Sequence, residues 1–249
     1  MDFDSFVLCA SSSDLREEPT AREHADAVEF RMDLADDPLA ALDDYDGELP
    51  ILATNRVAWE GGEAADDAGR LDDLAAAAEF DAVEAIDVEL AAVQTADVVL
   101  AVGDGGPSAD APGAAHDASR VVEHARDHGV SVVVSAHDFD GTPAAEDIAE
   151  MLDAACEVGD VGKVAVTATE PLDVLSLLAV TREFDAEGDC VATMAMGTIG
   201  SHSRVVAPAY GSRIGYAPVD PAKATAPGQL DLETMGRALD DLSAKPERY

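Results

Sequence analysis

Lys163 stands in the run GDVGKVAVTA, residues 159–168, among small and β-branched residues. The chain holds only three lysines, Lys163, Lys223 and Lys245, beside twelve arginines and 52 Asp+Glu. A lysine in such a run reads as part of a buried strand. Burial away from water disfavours an ammonium, and a neutral amine attacks a ketone or aldehyde to form a Schiff base. Arg31 and Arg56 would favour the neutral amine by repulsion, while Glu29, Asp33 and Glu89 would oppose it. His137, with an ordinary pKa near ~6.5, is the proton shuttle to set beside that amine. Together these residues suggest an imine-forming enzyme acting on an anionic carbonyl compound. They do not separate an aldolase from a dehydratase.

Several other charges fall inside strand-like runs. In AVEFRMD, Glu29, Arg31 and Asp33 share one face, and Val28, Phe30 and Met32 the other. Arg56 closes PILATNR. Asp87 and Glu89 share a face of AVEAIDVE, and His137 ends VSVVVSAH. Met194 and Met196 share a face of CVATMAM, and Arg204 follows shortly after. A strand covered on both faces should be almost wholly apolar, and charges within it are costly unless paired or functional. A single pair such as Glu29–Arg31 could be a buried ion pair. Six strands contributing polar or sulfur-bearing groups to one mouth read as a site.

The elements that must position these groups are eight strands, at 5–11, 27–33, 50–56, 82–89, 130–137, 163–168, 190–196 and 212–218. Amphipathic helices are expected at 65–79, 117–128, 143–157, 171–184 and 230–243. Thr142-Pro143 and Glu170-Pro171 act as start signals. The number and alternation of elements predict a (β/α)8 TIM barrel formed as a single domain over 1–249. The alternative is a doubly wound sheet, which would usually carry a glycine-rich turn after its first strand. CASSSDLREE has none. Residues 91–116 fit the rhythm poorly and read as an acidic, mobile Gly/Pro/Ala-rich insertion.

The formal net charge is −37. It argues against nucleic acid and anionic membranes as partners. With 47% apolar residues, the chain reads as a folded protein with a strongly hydrated acidic surface suited to high salt. No apolar run reaches the ~18–20 residues of a membrane helix, and MDFDSFVLCASSSD lacks the basic segment of a signal peptide. A cytoplasmic protein is expected. Cys9, Cys156 and Cys190 suggest neither a disulfide framework nor a thiolate zinc site. His124 and His128 have a metal-compatible spacing, but no third ligand is evident, so no metal is expected. His24, His116 and His202 receive no catalytic role.

The order VEFRMD, TNRVAWEGGE, IDVEL, SAHDF, GKVAV, MAMGTIGSHSR, YGSRIGY and ATAPGQ resembles the type I 3-dehydroquinate dehydratases along nearly the whole chain. The resemblance implies that Lys163 forms an imine with the ring ketone of 3-dehydroquinate, with no cofactor. His137 would remove the adjacent proton and then protonate the departing hydroxyl, and Glu60 would orient it. Glu29, Arg31 and Arg56 would bind ring hydroxyls, Arg204 and Gln229 the ring carboxylate. Met194 and Met196 would pack the ring. Tyr210, Thr225 and Ala226 would lie at the rim, and the loop 217–229 would form a lid. Thr225 stands where the family usually has serine. Gly197 and Gly200 are two extra glycines, expected to loosen their loop. The resemblance also implies a homodimer. A Schiff-base aldolase and a non-catalytic ligand-binding barrel are the alternatives.

Overall fold

In the computed structural model, residues 1–64, 67–94, 114–224, 226 and 228–243 are described. The strands are β1 (Val7–Ser12), β2 (Ala27–Arg31), β3 (Ile51–Thr54), β4 (Val83–Glu89), β5 (Ser131–Asp138), β6 (Val161–Thr167), β7 (Val191–Met196) and β8 (Ile214–Pro218). They form one parallel sheet in the order β7-β6-β5-β4-β3-β2-β1-β8. The ring is drawn together between β7 and β8 by a bridge, Val191 with Ser212, where the Arg213 amide donates to the Val191 carbonyl at 2.8 Å.

The helices are α1 (Glu18–Ala21), α2 (Pro38–Asp43), α3 (Asp67–Ala77), α4 (Leu90–Val93), α5 (Ala114–Asp127), α6 (Ala145–Val158), α7 (Pro171–Glu187), α8 (Gly197–Gly200), α9 (Ser203–Val206) and α10 (Leu232–Ser243). The start of α7 shows the local causes. Pro171 sits at its first position, and Glu170 and Asp173 cap each other's backbone. Glu146 and Asp147 place negative charge in the first turn of α6, where the helix dipole favours it.

Side chains alternate along each strand. Outward residues such as Val28, Phe30, Ile86, Val132, Val134 and Val164 pack against the helices. Inward residues near the strand starts, including Cys9, Ala27, Leu52, Val133, Val161 and Ile214, fill the barrel floor together with Phe3. Toward the carboxyl ends the inward positions become polar: Ser11, Glu29, Arg31, Asp87, Glu89, Ser135 and Lys163 are all buried. The fold therefore supplies a dry apolar base and a charged mouth.

All eight expected strands form, with shifted ends. β2 stops at Arg31, and Asp33 lies in a 3-10 turn, Met32–Leu34, so it leaves the strand face assigned to it. β3 stops at Thr54, two residues before Arg56. The stretch 91–116 is not all loop. Residues 91–93 belong to α4, which is buried, and α5 starts at Ala114; positions 95–113 lie outside the described residues. The short α1, α2, α8 and α9 were not expected. All three cysteines are free. No described helix is long and apolar enough to cross a membrane.

Candidate active site

Lys163 points inward from the middle of β6 and is 3% exposed. Its surroundings are not the apolar ones expected. Nζ lies 2.8 Å from Asp87 Oδ2, a residue on β4 reached across β5, and 4.2 Å from the centre of the Tyr216 ring on β8. The other oxygen, Asp87 Oδ1, accepts from Arg56 at 2.9 Å and from the Ser135 hydroxyl at 2.6 Å. Burial alone would raise the Asp87 carboxyl. Arg56 and Lys163 overcome that and hold it well below the usual carboxylate range. Asp87 is thus a fixed negative charge beneath the amine.

Arg56 ties this centre to a second carboxylate. Its guanidinium donates to Glu89 Oε1 and to Ser135 Oγ, both at 2.9 Å. Glu89 is held from behind by Arg70 at 2.8 Å. Burial works against the Arg56 charge, but Asp87, Glu89 and Glu60 more than compensate, so it stays protonated. This buried network joins β4, β5 and β6 to the segment just beyond β3.

His137 comes from the end of β5. Its Nδ1 lies 2.8 Å from Glu60 Oε2. Glu60 sits in the 3-10 turn Ala58–Glu60, which Gly61 ends with φ 76. A Cβ at Gly61 would come 2.6 Å from the Phe139 ring, and that ring stacks on His137 at 6.0 Å. Glycine therefore lets the turn fold back over the imidazole. Burial, reinforced by Arg56 and Lys163, pushes His137 well below the ordinary imidazole range. A neutral ring donating from Nδ1 to Glu60 carries its lone pair on Nε2, the arrangement of a general base.

These groups converge on one cavity lined by Lys163, His137, Glu60, Arg56, Glu29 and Arg31, with Met194, Met196, Arg204, Tyr216, Ala226 and Gln229 around them. The structure thus brings together the described residues to which the sequence analysis gave catalytic or substrate-binding roles. Thr225 lies outside the described residues. Tyr210 is not at the rim; it is 41% exposed on a 3-10 turn, Ala207–Tyr210.

Two pairings differ from the strand-face reading. Arg31 bonds Asp33 through both nitrogens, at 2.8 and 2.7 Å, rather than pairing with Glu29. Glu29 accepts from Ser11 at 2.5 Å and Thr54 at 3.4 Å, which leaves its oxygens capacity to accept from a ligand. Arg204 contrasts with the other two arginines. It is 4% exposed, forms no ion pair among the described residues, and its Nε makes no hydrogen bond. Burial pulls its pKa down to about 10, with Glu29 alone opposing. A buried guanidinium left unpaired in a cavity is a socket for an anion.

Gly200 is set by packing, since a Cβ there would lie 2.6 Å from the Ala195 backbone. Lys223, in the 3-10 turn Pro221–Lys223 of the loop after β8, pairs with Glu17 at 2.5 Å. A wider surface depression beside α1 and α2 also contains Arg16, Arg22 and Lys223. Each is paired with a carboxylate, so their charges are largely balanced where they stand.

Sequence reasoning missed three members of the centre as such: Ser135, Tyr216 and Arg70. It placed Asp87 on the right face without assigning it to Lys163. Tyr216 carries a buried hydroxyl with no hydrogen-bond partner among the described residues, and burial raises its pKa well above the ordinary phenol value. The inward alternation of IGYAP was the available signal for it.

Comparison with known proteins gives a consistent result. Residues 7–246 match the family described as Type I 3-dehydroquinase. The 3-dehydroquinate dehydratase of Haloarcula marismortui is 58% identical over 244 residues, covering 98% of this chain and 99% of that one. That of Halobacterium salinarum is 49% identical, covering 97% and 100%. Among solved structures, the Geobacillus kaustophilus 3-dehydroquinate dehydratase superposes with a TM-score of 0.80 at 28% identity, covering 98% of this chain and 93% of its own. The Clostridium difficile type I enzyme, solved with covalent modified comenic acid, gives 0.74 at 25% identity, covering 96% and 92%. The two curated relatives come from halophilic archaea, in line with the acidic composition. By sequence and by fold, the chain belongs to the type I 3-dehydroquinase family, whose barrel it forms from eight parallel strands.

Proposed function

We propose that this chain removes water from 3-dehydroquinate to give 3-dehydroshikimate through an imine on Lys163. The observation that carries the reading is one cavity shared by a buried amine and an imidazole whose Nδ1 is held by a glutamate. The whole chain acts as one catalytic barrel, with all ring contacts supplied from the carboxyl ends of its strands and the loops beyond them.

The geometry and the resemblance together support the following roles. Arg204 takes the ring carboxylate as its missing counter-charge, with Gln229 beside it. Glu29 accepts from ring hydroxyls, and Arg31 and Arg56, anchored by their own carboxylates, donate to them. Met194 and Met196 cover the apolar edge of the ring. His137 Nε2 takes the proton that Lys163 must lose, and the freed amine attacks the ketone carbon. His137 returns that proton as the carbinolamine loses water to leave a protonated imine. The imine withdraws electrons from the adjacent carbon, so His137 can remove its proton to give an enamine. The protonated imidazole then delivers that proton to the β-hydroxyl. The hydroxyl leaves as water while the enamine electrons reform the imine, now conjugated. Hydrolysis releases the enone and restores the amine. Asp87, close to Nζ throughout, stabilises each cationic nitrogen.

Turnover of 3-dehydroquinate in high salt, read by the absorbance of the conjugated product, tests this. His137→Ala should lower kcat by ~10²–10⁴-fold while substrate still binds. Binding without any absorbance change in the wild type would favour the non-catalytic barrel, and carbon–carbon cleavage products would favour the aldolase. The homodimer also belongs to this reading. Its support is an exposed apolar pair, Leu172 and Leu175, on the first turns of α7, with exposed Ile199 on the neighbouring α8. Sedimentation of Leu175→Glu against wild type tests that surface.

A further inference from the structure

His124 and His128, four residues apart at the end of α5, gain a third group from the fold. Glu79 follows the end of α3, and α3 packs along α5. One donor atom from each of Glu79, His124 and His128 lies within 4.8 Å of the other two. The imidazole rings are 4.3 Å apart, tilted by 43°. His124 Nε2 is enclosed, lies 3.2 Å from Glu79 Oε1, and makes no hydrogen bond of good geometry among the described residues. His128 Nδ1 lies 2.8 Å from the His124 carbonyl. A neutral His128 must donate from Nδ1 to that oxygen, which leaves Nε2 as the lone-pair atom. Metal-binding histidines are oriented by such a bond from the ring nitrogen that does not bind the metal.

The electrostatics favour a cation. Both helices end here, and helix carboxyl ends carry partial negative charge. Asp72, Glu123 and Asp127 line the adjoining groove with His124, three carboxylates to the one guanidinium of Arg120. Two imidazoles and one carboxylate suit zinc, nickel or copper better than magnesium or calcium, which prefer all-oxygen sites. Glu79 and His128 are exposed, so small rotations bring the donors to the ~2.0–2.2 Å at which zinc is held, with water completing the shell. Glu79 and His128 each precede the start of a strand, β4 and β5. The cluster is therefore at the amino-end face of the barrel, opposite the cavity, where residues serve stability rather than chemistry.

We propose that Glu79, His124 and His128 bind a divalent first-row transition cation that clips the end of α3 to the end of α5. The test uses the full chain in KCl buffer after chelator treatment. Wild type is compared with His128→Ala and Glu79→Gln by zinc titration and thermal unfolding, with magnesium as the control cation. The expected result is one equivalent of zinc bound and a raised Tm in wild type. Affinity should fall at least ~10-fold in each variant and magnesium should not reproduce the Tm shift, with turnover the same in all three proteins. Glu79→Gln leaves the His128 contact at the end of α5 intact, so a cap effect of His128 alone cannot imitate the pattern. The proposal is overturned by absent stoichiometric binding. It is equally overturned if zinc stabilises both variants as much as wild type, or if magnesium matches zinc.

Discussion

Asp87 holds Lys163 and Arg56 on its two oxygens, at 2.8 Å and 2.9 Å, so one carboxylate neutralises part of two buried cations at once. The two bonds come from β6 and from just beyond β3. Both side chains are about 95% enclosed, so solvent would compensate poorly for the loss of this carboxylate. Asp87 therefore links the reacting amine to the arginine network that shapes the mouth.

Asp87→Asn should keep the shape and remove the charge. Breaking a buried pair costs about 3–5 kcal/mol, because the partner is left uncompensated. Denaturant unfolding in high salt measures it, and a loss under about 1 kcal/mol would contradict the arrangement. The sign with pH follows from the lowered Asp87 pKa. Its contribution is present above the ordinary carboxylate range and is lost as pH falls through the folded value. Wild-type stability should fall on acidification, and the variant's should fall less.

The lowered His137 pKa sets the acid limb of kcat/KM. A depressed imidazole stays neutral to lower pH, so activity should persist below the ordinary value of ~6.5 and fail only as pH drops through the lowered one. A limb centred at or above that ordinary value would contradict the enclosure of His137.

Arg204→Met separates function from stability. The guanidinium is buried without an ion pair among the described residues, so replacing it with an apolar side chain of similar length should leave stability unchanged or raised. The same change should lower kcat/KM by about 30-fold or more, the size of a ~2 kcal/mol charge-assisted contact. Unfolding and steady-state kinetics on one preparation read both. A large fall in stability with unchanged kinetics would assign Arg204 to the scaffold.

Salt should act mainly on the surface. With a net charge of −37, moving from about 1 M to about 0.1 M salt lengthens screening from ~3 to ~10 Å and restores self-repulsion. The Tm should fall steeply over that range and recover on adding KCl. A Tm independent of salt would remove the halophilic reading of the composition.

The barrel was legible in the sequence because its strands are apolar on both sides until their carboxyl ends. Lys163 in GKVAV stands out as an exception to that pattern, and His137 in SAHDF marks a carboxyl end. The pairings were less legible. Alternation tells which face a residue takes, but not which residue it meets across the ring. Asp87 reaches Lys163 over an intervening strand, and Tyr216 approaches from the far side of the sheet order. A Glu29–Arg31 ion pair was one reading of the shared face, but Arg31 bonds Asp33, because the strand ends and the chain turns. Glu79 joins two histidines from another helix, a meeting no local spacing encodes.

The central claim is a covalent bond at one amine. The protein is incubated with 3-dehydroquinate, reduced with borohydride, digested, and read by mass spectrometry. A single reduced adduct on the peptide bearing Lys163, absent from Lys163→Met, is the predicted result. A protein that turns over substrate yet remains unmodified, or one modified at Lys223 instead, would contradict it.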